Sequence, residues 1–190
     1  VIIDYAHNGV SMQSILETMR AYNPKRIVSL FGCGGNRSKE RRYDMGEISG
    51  RLADFTIVTE DNSRYEDIND IMNDIEIGLK KTSGKYIKIP SRKDAIKYAI
   101  DNAKEGDIIL LLGKGHETYR EINGVREHLD EREIIKKQEG LVNMAIEDIK
   151  KDLDKRFAEP LPEFYKRRII FWNDEEGEFK EEIESLILDD

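Results

Sequence analysis

The chain has 190 residues, 38% hydrophobic and 37% charged, with a formal net charge of -8 and a pI near 5.1. That composition allows a buried core, and the acidic balance excludes generic attraction to nucleic acid or to an anionic membrane. No apolar run approaches the ~20 residues that span a bilayer, and the first residues lack the basic start and apolar middle of a secretory signal, so a cytoplasmic setting is expected.

Val1-Ile2-Ile3-Asp4 reads as a buried strand already under way, and further sequence is expected before it. From there apolar runs alternate with helical patterns, the rhythm of a parallel sheet with right-handed crossovers. Strands are predicted near 1–4, 26–31, 54–59, 86–89 and 107–112, with helices near 9–21, 40–52, 66–81 and 91–104 between them. The last helix opens at Ser91 as N-cap, with Asp94 three positions on, close to a capping box. Glu66, Asp67 and Asp70 put acids in the first turn of the helix before it, where the macrodipole favours them. After Glu117 the stretch Thr118 to Val125 reads as a hairpin, because Asn123-Gly124 supplies the positive φ angles of a type I′ turn. Residues 130–157 then form a charged helical pattern interrupted at Gly140. Beyond it, Glu159-Pro160-Leu161-Pro162 is a break, Arg167 to Trp172 a strand and Glu178 to Leu188 an acidic amphipathic helix.

Three strands end in loops suited to charged ligands, and the ligand crevice of an open α/β sheet lies outside the carboxyl ends of its strands. In Gly32-Cys33-Gly34-Gly35-Asn36-Arg37 the glycines let backbone N–H groups approach an anion, and Arg37 adds a fork for a carboxylate or phosphate. Taken alone this loop reads equally as a structural turn, being neither a Walker loop nor a GxGxxG fingerprint. The following run Ser38-Lys39-Glu40-Arg41-Arg42 reads as a solvated first helical turn. Asp61-Asn62-Ser63-Arg64 joins an acid, an amide and a guanidinium, though Asp and Asn also build ordinary turns. Gly113-Lys114-Gly115-His116-Glu117 is sharper, setting a cation, an imidazole and a carboxylate at one strand end. Asp4, taken alone, reads as a helix N-terminal cap, and the lone Cys33 as a redox-reduced thiol or a small buried hydrophobe.

Asp4-Tyr5-Ala6-His7, Phe31-Gly32-Cys33-Gly34-Gly35-x-Arg37, Met45-Gly46-Glu47, Asp61-Asn62-x-Arg64 and Gly113-Lys114-Gly115-His116-Glu117, in this order, resemble the C-terminal domain of Mur ligases of the MurE type over about residues 1–137. The resemblance implies a Rossmann-like, mostly parallel α/β sheet with flanking helices, followed here by a helical linker and a short α/β tail. It implies an ATP-dependent ligase that adds the third stem residue to UDP-MurNAc-L-Ala-D-Glu through an acyl-phosphate intermediate. In similar enzymes the positions of Arg37, Asp61, Asn62, Ser63, Arg64, Gly113 and Glu117 bind meso-diaminopimelate, and those of Asp4 and His7 lie at the ATP ribose. Arg64 is then the specificity determinant, because a guanidinium grips the distal carboxylate of diaminopimelate and repels the lone ammonium of lysine. Ser63 stands where the family carries proline, which would loosen the loop that aims Arg64, and His7-Asn8-Gly9 replaces the usual His-Thr-Pro. The resemblance assigns no role to Lys114 or His116. It places the phosphate loop, the Mg ligands and the UDP-sugar domain upstream of Asp4, so this segment carries no catalytic and no metal-ligating residue and is not expected to ligate alone.

Residues 144–190, with Lys155-Arg156-Phe157 and Arg167-Arg168-Ile169-Ile170-Phe171-Trp172-Asn173-Asp174, resemble the amino terminus of PglZ-family phage-defence proteins. Two units are therefore expected, a Mur ligase C-terminal domain over 1–137 and an incomplete extension over 138–190, joined by rearrangement or assembly. The alternatives are an unusual C-terminal extension and a non-catalytic binding or interaction module.

Overall fold

The computed structural model describes residues 1–137. The expected helical continuation to 157, the strand over 167–172, the helix over 178–188 and the PglZ-like stretch lie outside the described residues. Within them, β1 (Ile2–Asp4), β2 (Arg26–Phe31), β3 (Phe55–Val58), β4 (Tyr86–Lys88) and β5 (Asp107–Leu112) alternate with α1 (Gly9–Arg20), α2 (Lys39–Leu52), α3 (Ile68–Leu79) and α4 (Arg92–Asp101). β6 (Tyr119–Ile122), β7 (Val125–His128) and α5 (Glu131–Lys136) follow. All five predicted strands form, and they make one parallel sheet of order β1-β5-β2-β3-β4.

The sheet is covered on both faces. Runs such as Asp107 to Leu112 are buried at every position, the pattern of a strand covered on two sides. Alternate residues divide between two cores: Ile2, Ile27, Phe31, Val58, Ile108, Leu110 and Leu112 meet α1, α2 and α3 through Met12, Leu16, Met45, Ile71 and Ile75. On the other face Ile3, Val28, Leu30, Ile57, Ile109 and Leu111 meet Ala95, Ile96, Ala99 and Ile100 of α4 and Ile135 of α5. Each such apolar side chain withdrawn from water stabilises the fold by about 1.5–3 kcal/mol. β5 sits between β1 and β2 and its chain leaves toward the α4–α5 face, whereas its neighbours lead to the α1–α3 face. In open α/β sheets such a reversal marks the ligand side, here the carboxyl end of β5.

Several local expectations are corrected. The N-cap of α1 is Asn8, locked in a capping box with Ser11, and not Asp4, whose Oδ1 accepts from the Ala6 N–H at 2.6 Å. A cap must directly precede the first turn, and Asn8 is the residue that does. α3 begins at Ile68, two residues later than predicted, with Asp67 as its N-cap, so Glu66 stays outside the helix. Ser91 caps α4 as expected, accepting from the Asp94 N–H at 3.3 Å. Residues 38–40 of the charged run are exposed, but Arg42 is buried, because α2 turns it toward α3, where Asp74 accepts from it at 2.9 Å. The Met45-Gly46 motif is a packing device: a Cβ at Gly46 would fall on the Ile75 carbonyl, so α2 and α3 touch backbone to backbone. The Asn123-Gly124 hairpin forms as predicted, with φ of 51° and 76° at its two turn residues. Among the described residues no helix is long and apolar enough to cross a membrane.

Candidate functional site

The loops after β2, β3 and β5 meet at one rim. The β2 loop and the β3 loop are joined by the Gly35 N–H, which donates to the Asn62 carbonyl at 2.8 Å. Only glycine fits there, since a Cβ at Gly35 would lie on the Ser63 carbonyl. Arg64 then lays its guanidinium over the β2 loop: Nη1 donates to the Gly35 carbonyl at 2.7 Å and lies 2.9 Å from where a Gly34 Cβ would stand. Arg37 is exposed beside the same glycine, its Cγ 3.8 Å from that point.

Arg64 has φ of +51°, a conformation costing a bulky residue about 1–3 kcal/mol unless its surroundings enforce it. Here the hairpin enforces it. The Arg64 N–H donates to the Glu121 carbonyl at 3.0 Å and the Arg64 carbonyl accepts from the Asn123 N–H at 2.6 Å. These bonds answer the absence of proline at Ser63, which is buried: the loop is pinned from β6 rather than by its own ring constraint.

Asn62, Lys114 and Glu117 form one bonded cluster. Glu117 Oε2 accepts from Asn62 Nδ2 at 2.9 Å and from Lys114 Nζ at 3.0 Å, while Asn62 Oδ1 accepts from Lys114 Nζ at 3.2 Å and from the Glu121 N–H at 2.9 Å. Asp61 lies against β5, its Oδ2 2.9 Å from where a Gly113 Cβ would be, and Gly113 has φ of +106°. Tyr5 leans over the rim, exposed, with ring centroids 4.7 Å from His7 and 5.2 Å from His116. Partial burial raises its hydroxyl above the usual range, helped by Glu117, Asp61 and Tyr119 and opposed by Arg37. Tyr5 is thus within electrostatic reach of all three loops. His7 is exposed with Nδ1 2.8 Å from the Tyr5 carbonyl, and Asp4 is wholly buried, its carbonyl accepting from the Gly113 N–H at 3.1 Å.

Behind the rim stand two buried arginines that sequence reasoning missed. Arg42 donates to the Gly34 carbonyl, to Glu66 and to Asp74, and its bond is the main reason the Glu66 carboxyl sits below the usual range. Glu66 in turn accepts from the Asn36 N–H, closing the β2 loop. Arg92 donates to the Glu60 carbonyl at 3.0 Å, the Leu112 carbonyl at 2.9 Å and Glu131 Oε1 at 2.7 Å. It so ties the ends of β3 and β5 to each other and to α5. Burial pushes the Glu131 carboxyl up, against the pull of Arg92 and Lys114. No local signal marks these residues, since their carboxylate partners lie 24 to 39 positions away.

A doubly covered parallel sheet with an acid, an amide and guanidinium groups around glycines at its carboxyl edge defines an α/β domain of the open-sheet class. Residues 1–115 match the family model of the Mur ligase, glutamate ligase domain, and the chain belongs to that family. The UDP-N-acetylmuramoyl-L-alanyl-D-glutamate--2,6-diaminopimelate ligase of Caldanaerobacter subterraneus subsp. tengcongensis is 46% identical over 136 residues, which is 72% of this chain and 28% of that protein. The ligase of the same name from Alkaliphilus oremlandii is 45% identical over 145 residues, 75% of this chain and 30% of that protein. A solved structure of such a 2,6-diaminopimelate ligase is 36% identical with a TM-score of 0.67, covering 72% of this chain and 29% of that one. The chain therefore spans less than a third of the length of these relatives.

Proposed function

We propose that residues 1–137 are the amino-acid-binding, ATP-site-closing domain of a ligase that joins meso-diaminopimelate to UDP-MurNAc-L-Ala-D-Glu in peptidoglycan synthesis, in the cytoplasm, with residues 138–190 an extension. The carrying observation is the rim where Arg64 on its glycine seat and the Asn62–Glu117 pair close on one another, together with relatives named for 2,6-diaminopimelate. Diaminopimelate carries two carboxylates and two ammonium groups. Arg64 and Arg37 supply guanidinium forks for the former, and Glu117 and Asp61 acceptors for the latter. Asn62 and Gly113 complete the floor, and Ser63 contributes through its backbone. At the nucleotide side one position is exposed and one lies buried beneath it. His7 presents its ring outward, while Asp4, wholly buried, shapes the turn beneath it.

ATP, when bound, supplies the activation of the acceptor carboxylate. Among the described residues no group of three or more His, Cys, Asp or Glu is placed to hold a metal; the Mg and most ATP contacts belong to the parts of the ligase outside this chain. The chain's own work is to orient the incoming amino group and to exclude the wrong amino acid. The test is ATP consumption by the complete ligase carrying this chain, with the UDP-MurNAc dipeptide and a panel of amino acids. Diaminopimelate should be preferred, and Arg64→Ala should raise its KM about 10- to 100-fold with the KM for ATP unchanged, as expected for losing a bidentate charged pair worth about 1.5–3 kcal/mol. A preference for lysine overturns the assignment.

A further inference from the structure

Lys114 is fully buried, although an ammonium taken out of water costs several kcal/mol unless it is paired and hydrogen-bonded. Its placement is built by the backbone on both sides. Gly113 and Gly115 have φ of +106° and +51°, and the Glu117 N–H donates to the Lys114 carbonyl at 2.9 Å. The resulting tight turn folds the lysine side chain inward beneath the loop. There Nζ meets Glu117 Oε2 at 3.0 Å and Asn62 Oδ1 at 3.2 Å, with the Tyr119 ring face 5.6 Å away. Both partners of the ammonium are thus residues of the proposed amino-acid site.

The two contacts also decide what Glu117 and Asn62 can do. With Oε2 taken by Lys114 and Asn62, Glu117 keeps Oε1 without a hydrogen bond from any described residue. With Oδ1 held by Lys114 and Glu121, the amide of Asn62 is fixed with its oxygen inward and its NH₂ on Glu117. A buried pair of this kind gives little net stability compared with apolar filling. Its effect lies in geometry. A carboxylate clamped at one oxygen presents the other in one direction, so an ammonium meets an acceptor that needs no reordering.

We propose that Lys114 is a positioning residue: from beneath the rim it clamps Glu117 and Asn62 so that the free carboxylate oxygen is aimed at an ammonium group of the amino-acid substrate. This rests on the amino-acid site proposed above. It assigns Lys114 no contact with the substrate.

The test is a titration of the 190-residue chain, followed by NMR, with diaminopimelate and with pimelate, which has the same carbon chain and carboxylates but no ammonium groups. Lys114→Met keeps an unbranched side chain, one atom shorter, and removes the charge. The variant should weaken diaminopimelate binding about tenfold or more and pimelate binding less than twofold. An equal loss for both ligands marks a merely structural role and overturns the proposal, as does no loss for either. If Lys114→Met does not fold, the parent chain decides. The Asn62 side-chain amide and the Lys114 ammonium resonances should shift with diaminopimelate and stay in place with pimelate, and identical responses to the two ligands overturn it. A parent chain with no response to diaminopimelate at any site, at millimolar concentration, sinks the amino-acid site itself and Lys114's role with it. A parent that responds while Lys114→Met matches it sinks the positioning role alone.

Discussion

Replacing Arg92 by methionine would remove three charge-bearing hydrogen bonds at a position with no solvent exposure. Its partner Glu131 is only 1% exposed and would be left as a buried carboxylate with no counter-charge in direct contact. Breaking a buried pair at one end costs about 3–5 kcal/mol, and because the three bonds share one desolvated group their separate worths do not add. A loss of about 4 kcal/mol against an unfolding entropy of about 2.1 cal/mol/K per residue, taken over the 137 described residues, lowers Tm by about 14 °C. The double variant Arg92→Met with Glu131→Leu removes both charges, and most of the loss should be recovered because apolar filling replaces the pair. Thermal unfolding of parent, single and double variants, followed by far-ultraviolet circular dichroism, measures all three. A drop below about 3 °C in the single variant, or a double variant as unstable as the single, would show that the β3 and β5 ends are not held through this pair.

Gly35→Ala should push the β3 loop off the β2 loop, since the new methyl group meets the Ser63 carbonyl. The expected result is about 1–3 kcal/mol of overpacking and at least tenfold weaker diaminopimelate binding in the same NMR titration, and an unchanged affinity would refute the seat. Cys33, whose thiol burial pushes up to about 12, should resist iodoacetamide at pH 8 in the native chain and react once denatured. Alkylation of native protein at the rate of a free thiol contradicts that. The Glu66 and Glu76 carboxyls sit below their usual range, held chiefly by Arg42 and by the Tyr86 hydroxyl. Their folded values lie below their unfolded ones, so the stability they contribute is present above about pH 4.3 and is lost as pH falls through the folded values. Melts from pH 7 to 3 should show a declining Tm below about pH 4.5, with a smaller decline in Glu66→Gln, and a flat profile would refute the linkage.

The sheet was legible because each strand is a short, nearly continuous apolar run between turn residues, a signal carried by neighbours in the chain. So were the Asn123-Gly124 hairpin and the three strand-end loops, whose glycines and charges stand together in sequence. The same local logic misplaced the cap of α1, where Asn8 and not Asp4 adjoins the first turn. It also read Arg42 as solvated, because a run of charges gives no sign of which member a helix rotates inward.

By itself, then, the chain's order of residues determined strand positions and the residue types in the loops at their carboxyl ends, all properties that depend on a few consecutive positions. Tertiary structure alone decided which polar groups are buried and what they hold: Lys114 against Asn62, 52 positions away, Arg92 against Glu131, 39 away, and Arg64 pinned by the hairpin. The physical reason is that desolvation is a property of the assembled interior. A lysine or arginine in sequence carries the same charge whether it ends in water or beneath a loop, and only the packing around it makes that charge a clamp.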